Sequence, residues 1–164
     1  AIDSTGFDRD QPSRHYANRT NYRVRALKVT ALVDVETLYI TDIHSTTSKK
    51  HDAKIGPQVA RRNAGDLRSL AADRGYDAKS FRDELRENGI RPLIKHRIMN
   101  PLDHAHNARM NGDRYHQRSM SETVFSSIKR TLGSAVRARS WWLEFREMLL
   151  KAAVYNLRRS VRYP

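Results

Sequence analysis

The stretch Leu67-Arg-Ser-Leu-Ala-Ala-Asp-Arg-Gly-Tyr-Asp77 decides the fold class of this 164-residue chain. Its short apolar run, 67–72, is typical of a buried strand, and the glycine-containing turn that follows ends this strand. The pattern then predicts a helix over 78–88 that ends at Gly89, and a second short strand over 90–94. A strand, a helix and a strand in this order predict an α/β fold.

Upstream of this unit, the sequence predicts further strands. The chain opens with Ala-Ile-Asp3, which has the pattern of a strand, and a polar, basic loop is predicted over 6–23. Two runs of β-branched and apolar residues, 24–33 and 37–44, predict a β-hairpin. The elements together predict a mixed sheet flanked by helices, in which Asp3 and Asp73 lie near the carboxyl ends of parallel strands, where chemistry gathers.

The remaining segments are predicted to be helices and one loop. A helix is predicted from Asp52, its expected N-cap, to residue 64. Residues 95–113 have little periodicity and are predicted to form a loop. Two long helices follow, one over 115–132 that ends at a glycine and one from about residue 140 with apolar side chains at helical spacing.

The composition indicates a polyanionic partner, since 31 Lys and Arg against 18 Asp and Glu give a formal net charge of +13 and a pI near 10.5. Cationic proteins without any chemistry have such values too. The absence of cysteine excludes disulfides, thiolate metal sites and a cysteine nucleophile. No apolar run approaches the roughly 18 residues of a membrane span, so we expect one cytoplasmic domain. Because the chain begins at Ala1 inside a predicted strand, we expect it to be a fragment.

Four polar residues form a stripe in the helix predicted over 115–132. Tyr115, Arg118, Glu122 and Lys129 are 3, 4 and 7 positions apart, which places them within roughly 60° of one helix face. A surface salt bridge between Arg118 and Glu122, worth about 0.3 to 0.5 kcal/mol, is the simpler interpretation. With the two aspartates at the strand ends, however, Glu122 completes a set of three mutually repelling carboxylates, which Mg²⁺ would neutralise.

Such a set has a defined chemistry. Two divalent ions about 3.5 to 4 Å apart can activate a water or a 3′-hydroxyl and stabilise the leaving oxygen of a phosphoryl displacement. Arg118, Lys129 and Tyr115 could then hold DNA phosphates beside the ions.

The motif Tyr115-x2-Arg118-x3-Glu122-x6-Lys129 resembles the Tyr-Arg-Glu-Lys signature of DDE transposases of prokaryotic insertion sequences, in the broad group typified by insertion sequences four and five. The spacing matches without gaps.

Two further segments are similar to the family's catalytic segments. Ala1-Ile-Asp-Ser-Thr-Gly-Phe7 resembles the one that contains the first catalytic aspartate, and Ala72-Asp-Arg-Gly-Tyr-Asp77 resembles the one that contains the second. The resemblance covers nearly the whole chain, including 51–52, 91–95 and 140–158, and is especially marked towards archaeal elements.

The resemblance implies a ribonuclease-H-like fold, with a mixed five-stranded sheet flanked by helices, over a catalytic domain at 1–164 that lacks the family's amino-terminal segment. It implies that two Mg²⁺ ions, for which Mn²⁺ would substitute, are bound while DNA ends are cut and joined by transesterification. The implied catalytic and metal-binding residues are Asp3, Asp73 and Glu122, and the implied DNA contacts are Tyr115, Arg118 and Lys129. Implied partners are transposon ends and target DNA, with a homodimer on paired ends at the nucleoid. The short segment before the Glu122 helix predicts a compact version without a large insertion.

Other polar residues have two interpretations each. Asp77 is expected to cap the following helix. His96, His104 and His106 could bind zinc, but without cysteine or helical spacing they are expected to contact solvent or phosphate.

The two adjacent tryptophans, Trp141 and Trp142, cannot face the same way on a helix. One is therefore expected in the core, and the other could stack on unpaired bases.

The basic segment 9–25 and the cluster of Arg130, Arg137 and Arg139 could be solvated charge or line a DNA path. The alternative function that the sequence leaves open is a catalytically inactive DNA-binding remnant of a transposase.

Overall fold

The computed structural model describes residues 1–9, 19, 25–47 and 50–162. The strands are β1 (Ile2–Asp8), β2 (Ala26–Val33), β3 (Ile40–Thr46), β4 (Ser69–Ala72) and β5 (Arg91–Ile94). The helices are α1 (Asp52–Arg62), α2 (Lys79–Glu87), α3 (Pro101–Arg109), α4 (Gly112–His116), α5 (Ser119–Leu132) and α6 (Trp141–Arg162), with 3₁₀ turns at Ala64–Asp66 and Arg74–Tyr76. None of these helices is long and apolar enough to cross a membrane. The mixed α/β class predicted from the sequence is confirmed.

The first three strands form an antiparallel sheet in the order β1-β2-β3, which confirms the predicted hairpin. Asp3 lies opposite Ala31 of the central strand. Because side chains alternate along a strand, Asp3, Thr5 and Phe7 share one face of β1, and Ser4 points to the other.

The loop predicted to start at residue 6 is wrong at its start, because β1 continues to Asp8 and the Phe7 side chain is fully buried. Because Ser4 and Thr5 are polar, a prediction based on runs of apolar residues did not recognise the second half of this strand. Residues 10–18 and 20–24, which include most of the predicted loop, lie outside the described residues.

The strand, helix and strand predicted from the 67–77 stretch are confirmed. β4 and β5 pair in parallel, α2 connects them, and Gly89 ends α2 with a positive φ of 71°. The N-cap of α1 is His51, so the prediction of Asp52 as the cap is wrong. Asp52 is instead the first helical residue, and its carboxylate forms an ion pair with Lys28 at 2.8 Å.

The five strands do not form one continuous ladder in the described part of the chain. Hydrogen bonds divide them into the three-stranded sheet and the two-stranded β4-β5 sheet, which corrects the expected single five-stranded sheet. β1 nevertheless lies directly beside β4. The two strands meet through side chains, because Ile2 packs in the same apolar cluster as Leu70 and Ala72.

Two apolar clusters lie on the two faces of the antiparallel sheet. One fills the space between this sheet and α5 and α6, and the other lies between α1, α2 and the short parallel strands. The first includes Phe7, Leu27, Phe125, Ile128 and Met148, and the second includes Ile2, Tyr76, Phe81, Leu85 and Ile94. β1 contributes to both clusters, so its position is fixed from both sides.

The loop predicted over 95–113 is wrong, because this segment contains α3 and the start of α4. The Asn100 side chain accepts a hydrogen bond from the Asp103 amide, and the Asp103 carboxylate accepts one from the Asn100 amide, which makes a capping box. Since α3 buries no residue, it has no apolar stripe from which a helix could be recognised.

The helix predicted over 115–132 is two helices. α4 ends at His116 and α5 begins at Ser119, so Tyr115 and Glu122 lie on different helices and the predicted four-residue stripe is interrupted. The predicted end of α5 at Gly133 is confirmed, with a φ of 89°.

The last helix packs through a narrow face. Met148, Ala152 and Tyr155 are buried, whereas Trp141 is 56% exposed and Trp142 is 53% exposed. The expectation that one tryptophan packs in the core is therefore wrong. The buried face of the helix also carries two charged side chains, Glu144 and Lys151.

Candidate active site

Asp3 lies near the start of β1, and not at its carboxyl end as the sequence predicted. Its side chain points to the α5 side of the sheet. The pKa of Asp3 is raised to about 6, chiefly by burial and in smaller part by the neighbouring carboxylates of Asp73, Glu122 and Asp52, against a backbone hydrogen bond at Ser4 that lowers it. The structure therefore brings the three predicted acidic residues close enough for their charges to interact, together with a fourth.

Asp73 follows β4 directly, as predicted, and begins the 3₁₀ turn Arg74–Tyr76. Its Oδ1 accepts a hydrogen bond of 2.7 Å from the Gly75 amide. A β-carbon at residue 75 would lie 2.8 Å from this oxygen. The glycine of the turn thus leaves room for the Asp73 carboxylate against the backbone.

Glu122 lies in the first turn of α5, with 60% of its side chain exposed. Arg118 Nη1 lies 3.3 Å from its Oε1, so the salt bridge that the sequence allowed is present. At this exposure the pair contributes little to stability, on the order of 0.5 kcal/mol or less. The Glu122 carboxylate remains accessible from solvent.

A cavity of about 410 Å³ lies between β1 and α5. It is lined by Asp3, Thr5, Glu122, Phe125, Ser126, Lys129 and Arg130. Lys129 Nζ donates a 2.7 Å hydrogen bond to Thr5 Oγ1, which holds the ammonium group in the cavity wall. The cavity thus combines two carboxylates with two cations.

The sequence prediction missed Thr5, Ser126 and the role of Asp52. Thr5 could have been found from the two-residue period of β1 beyond Asp3, and Ser126 from the four-residue spacing beyond Glu122. Asp52 gives no such signal, since nothing in its local sequence links it to Asp3. Burial alone would raise the pKa of Asp52, but hydrogen bonds from Lys28 and Ser4 hold it below the usual value.

Tyr115 is buried and does not line the cavity. The Lys95 ammonium nitrogen lies 4.5 Å from the centre of its ring, and the Arg118 guanidinium carbon lies 5.3 Å from it. The tyrosine therefore supports two cations, one of which pairs with Glu122.

The donor set suits a hard divalent cation, because carboxylate oxygens are the ligands that such ions prefer. In the described part of the chain, however, no three acidic, histidine or cysteine side chains approach closely enough to hold an ion. Asp73 is turned towards the Gly75 amide and Glu122 towards Arg118. The residues thus fit a divalent cation in chemistry and charge, while two of the carboxylates point to protein partners.

Asp77 and Arg9 differ from their predictions. Asp77 does not cap α2, whose N-cap is Ala78. It forms an ion pair with Arg82 and accepts a hydrogen bond of 2.7 Å from the Arg97 amide. Arg9 Nε donates hydrogen bonds to both carboxylate oxygens of the buried Glu144, so its side chain is paired within the protein and is not solvated charge.

The three histidines do not share one environment. His96 and His106 stack with their ring centres 3.8 Å apart, and His96 Nδ1 lies 3.0 Å from Asp103 Oδ1, while His104 is exposed. Burial and then the neighbouring His96 lower the pKa of His106. The stack forms where α3 lies against the segment after β5, since the Asn107 side chain accepts a hydrogen bond from the His96 amide and donates one to the His96 carbonyl. The loop prediction could not contain this contact.

The fold is similar to one in a structure described as "Cryo-EM structure of piggyBac transposase synaptic complex with hairpin DNA", with a TM-score of 0.61 and 12% sequence identity over 94% of this chain. The chain spans 45% of the length of that protein, and the likeness is one of fold. No curated protein matches the chain. A family model described as "Transposase DDE domain" matches residues 1–157. The chain therefore belongs to the transposase DDE domain family.

Proposed function

We propose that residues 1–164 form the catalytic domain of a DNA transposase that acts on the ends of a prokaryotic insertion sequence of the group typified by insertion sequences four and five. Its reactions are metal-dependent phosphodiester hydrolysis and strand transfer. One observation carries this proposal above the others: Asp3 and Glu122 face one cavity beside Lys129, and the Asp73 carboxylate is near enough to raise the pKa of Asp3. The family match over 1–157 gives that arrangement its chemical context.

In this proposal Asp3, Asp73 and Glu122 hold two Mg²⁺ ions, for which Mn²⁺ would substitute. When bound, the ions would activate a water or a 3′-hydroxyl for attack on a phosphodiester. To take part, Asp73 has to rotate away from the Gly75 amide, and Glu122 has to rotate away from Arg118. The neighbouring charges that raise the pKa of Asp3 would be compensated by the ions.

In this proposal, the cationic side chains around the cavity bind the DNA phosphates. Lys129 points its ammonium group into the wall of the cavity and Arg130 is exposed beside it, so both can contact a DNA backbone. Arg118 would exchange its Glu122 partner for a phosphate when Glu122 turns to a cation. Tyr115 acts indirectly, by holding Arg118 against its ring.

The proposed partners are transposon ends and target DNA. The net charge of +13 supports a polyanionic substrate, and the similar piggyBac structure is described as a synaptic complex with hairpin DNA. A homodimer on paired ends, in the cytoplasm at the nucleoid, completes the proposal. The inactive DNA-binding remnant is the competing function, because no three carboxylates of the described residues approach closely enough to hold an ion.

Nicking of a labelled DNA duplex in Mg²⁺ or Mn²⁺ tests the proposal. The wild-type chain is compared with Glu122→Gln and Asp73→Asn at matched salt, and DNA binding is measured in parallel. An active transposase domain cuts, and both variants lose at least 100-fold in rate while still binding DNA. If no protein cuts and all three bind DNA equally, the chain is a binding remnant.

A further inference from the structure

The two aspartates of the candidate active site belong to different hydrogen-bonded sheets. Asp3 is part of β1 in the antiparallel sheet, and Asp73 follows β4 in the two-stranded parallel sheet. No backbone ladder between β1 and β4 is present in the described ranges. The regular pairing that fixes the distance between neighbouring strands is therefore not what sets the separation of these carboxylates.

A side-chain hydrogen bond spans this junction at the level of the site. Ser4 Oγ, next to Asp3 in the chain, lies 2.8 Å from the hydroxyl of Tyr76, at the end of the turn that Asp73 begins. Ser4 Oγ also lies 2.7 Å from Thr30 Oγ1 on the central strand. The strand of one aspartate and the turn of the other are thus joined through two hydroxyl groups.

Both hydroxyl groups are held firmly. The Tyr76 side chain is 1% exposed, and its ring lies so close to α1 that a β-carbon at Gly56 would come within 2.8 Å of it. On the other side, Asp52 hydrogen-bonds Ser4 and forms an ion pair with Lys28 at 2.8 Å. Neither partner can swing away without disturbing packing or a charge pair.

We propose that the Ser4–Tyr76 hydroxyl pair is a positioning device that sets the separation of Asp3 and Asp73 and thereby the affinity of the site for a divalent cation. This inference rests on the proposed function, since it assigns both aspartates to one cation-binding site. Ser4 and Tyr76 touch neither substrate nor cation and act through the backbone of β1 and the turn. Partners of this kind, one layer behind the ligands, typically change metal affinity by 10-fold to 100-fold.

The test is direct binding of Mn²⁺, followed by the electron paramagnetic resonance signal of the free ion. The variants are Tyr76→Phe, which keeps the ring and removes only the hydroxyl, and Ser4→Ala. Tyr155→Phe removes the hydroxyl of another buried tyrosine, on α6, and serves as the matched control. Mg²⁺-dependent nicking and the thermal unfolding midpoint are measured on the same proteins.

We expect Tyr76→Phe and Ser4→Ala each to weaken Mn²⁺ binding by about 10-fold. The double variant should lose no more than Ser4→Ala alone, because Ser4→Ala already removes the bond to Tyr76, in addition to the bond to Thr30. The Mg²⁺ concentration for half-maximal nicking rises in parallel, while DNA affinity stays unchanged. The thermal midpoint of Tyr76→Phe falls by no more than about 4 °C. Ser4→Thr, which retains a hydroxyl, keeps the wild-type affinity within about twofold.

Two failures are distinguishable. If the wild type binds Mn²⁺ through Asp3 and Glu122 and Tyr76→Phe binds it equally well, the positioning role is overturned and the transposase proposal stands. If wild-type binding of Mn²⁺ is no tighter than that of Asp3→Asn and no nicking occurs, the proposed function itself is overturned, and the positioning role with it.

Discussion

At the scale of single residues, the decisive feature is a carboxyl group whose ionisation the fold opposes. Burial and three neighbouring carboxylates raise the pKa of Asp3 from 3.8 to about 6. Between pH 3.8 and about 6, Asp3 is therefore protonated to a greater extent in the folded state than in the unfolded state. Stability contributed by this group is present at low pH and is lost as the pH rises through the folded pKa.

We therefore predict that Asp3→Asn stabilises the metal-free protein at pH 7.5. The gain is on the order of 2 to 3 kcal/mol, because the substitution removes a charge that the fold has to keep buried near other charges. Urea unfolding in the presence of a chelator measures it. The same variant at pH 4 is the control, since Asp3 is protonated there in the folded wild type. An equal gain at both pH values would contradict this origin.

A second prediction concerns the buried pair of Arg9 and Glu144. The Glu144 side chain is 3% exposed and accepts two hydrogen bonds, of 2.9 and 3.0 Å, from Arg9 Nε. Glu144→Ala leaves the guanidinium with an unmet charge in a largely buried position, so the free energy of unfolding should fall by about 3 kcal/mol. Asp83→Ala breaks the exposed pair with Arg86 and should cost less than about 0.5 kcal/mol.

Chemical denaturation of both variants tests this difference. Combining Arg9→Met with Glu144→Leu should recover most of the lost stability, because it removes both charges together. A double variant as unstable as Glu144→Ala would show that the loss comes from packing and not from the unpaired charge.

At the scale of elements, the contact of α1 with the turn after β4 leaves no room for a larger side chain at Gly56. A β-carbon at Gly56 would lie 2.8 Å from the Tyr76 ring and 3.1 Å from the Phe81 ring. We predict that Gly56→Ala lowers the free energy of unfolding by about 1 to 2 kcal/mol, since overpacking outweighs the gain in helix propensity. Gly65→Ala is the control, because nothing lies within 4 Å of a β-carbon there.

Thermal unfolding of the two glycine variants checks this prediction, and a stabilised Gly56→Ala would refute it. The same variant displaces the Tyr76 hydroxyl, so it should also weaken Mn²⁺ binding. It thereby connects the packing of α1 with the geometry of the candidate site.

At the scale of the whole molecule, the excess of positive charge predicts salt-sensitive DNA binding. With a net charge of +13, the logarithm of DNA affinity should fall linearly with the logarithm of salt concentration. Lys129→Gln should reduce this slope by about 1 if Lys129 contacts a phosphate. Arg86→Gln, on α2 and outside the cavity lining, should leave the slope unchanged.

Fluorescence anisotropy with a short duplex between 50 and 200 mM salt, a range in which such slopes are measurable, provides the data. A slope for Lys129→Gln equal to that of the wild type would place DNA phosphates away from the cavity. The nicking experiment would then locate the substrate independently.

Much of the architecture was predictable because local patterns encode it. The apolar run before Asp73, the turn glycine after it and Gly89 at the end of α2 gave the parallel unit. The loop predicted over 95–113 failed because α3 is stabilised by its capping box and not by burial, so the apolar periodicity that reveals helices is missing. The tryptophan prediction failed because helical spacing shows that two side chains diverge, but not where the core lies.

Residue order and spacing were sufficient to predict Asp3, Asp73, Glu122 and Lys129 as site residues, since each lies in a motif that can be recognised from the local sequence. Their arrangement depended on contacts across the chain, such as Lys129 with Thr5 over 124 positions and Ser4 with Tyr76 over 72 positions. Only the tertiary structure shows that Asp52 lies near Asp3. Short-range patterns record backbone preference and the side on which apolar groups lie, whereas the distance between two carboxylates follows from how separate sheets and helices pack.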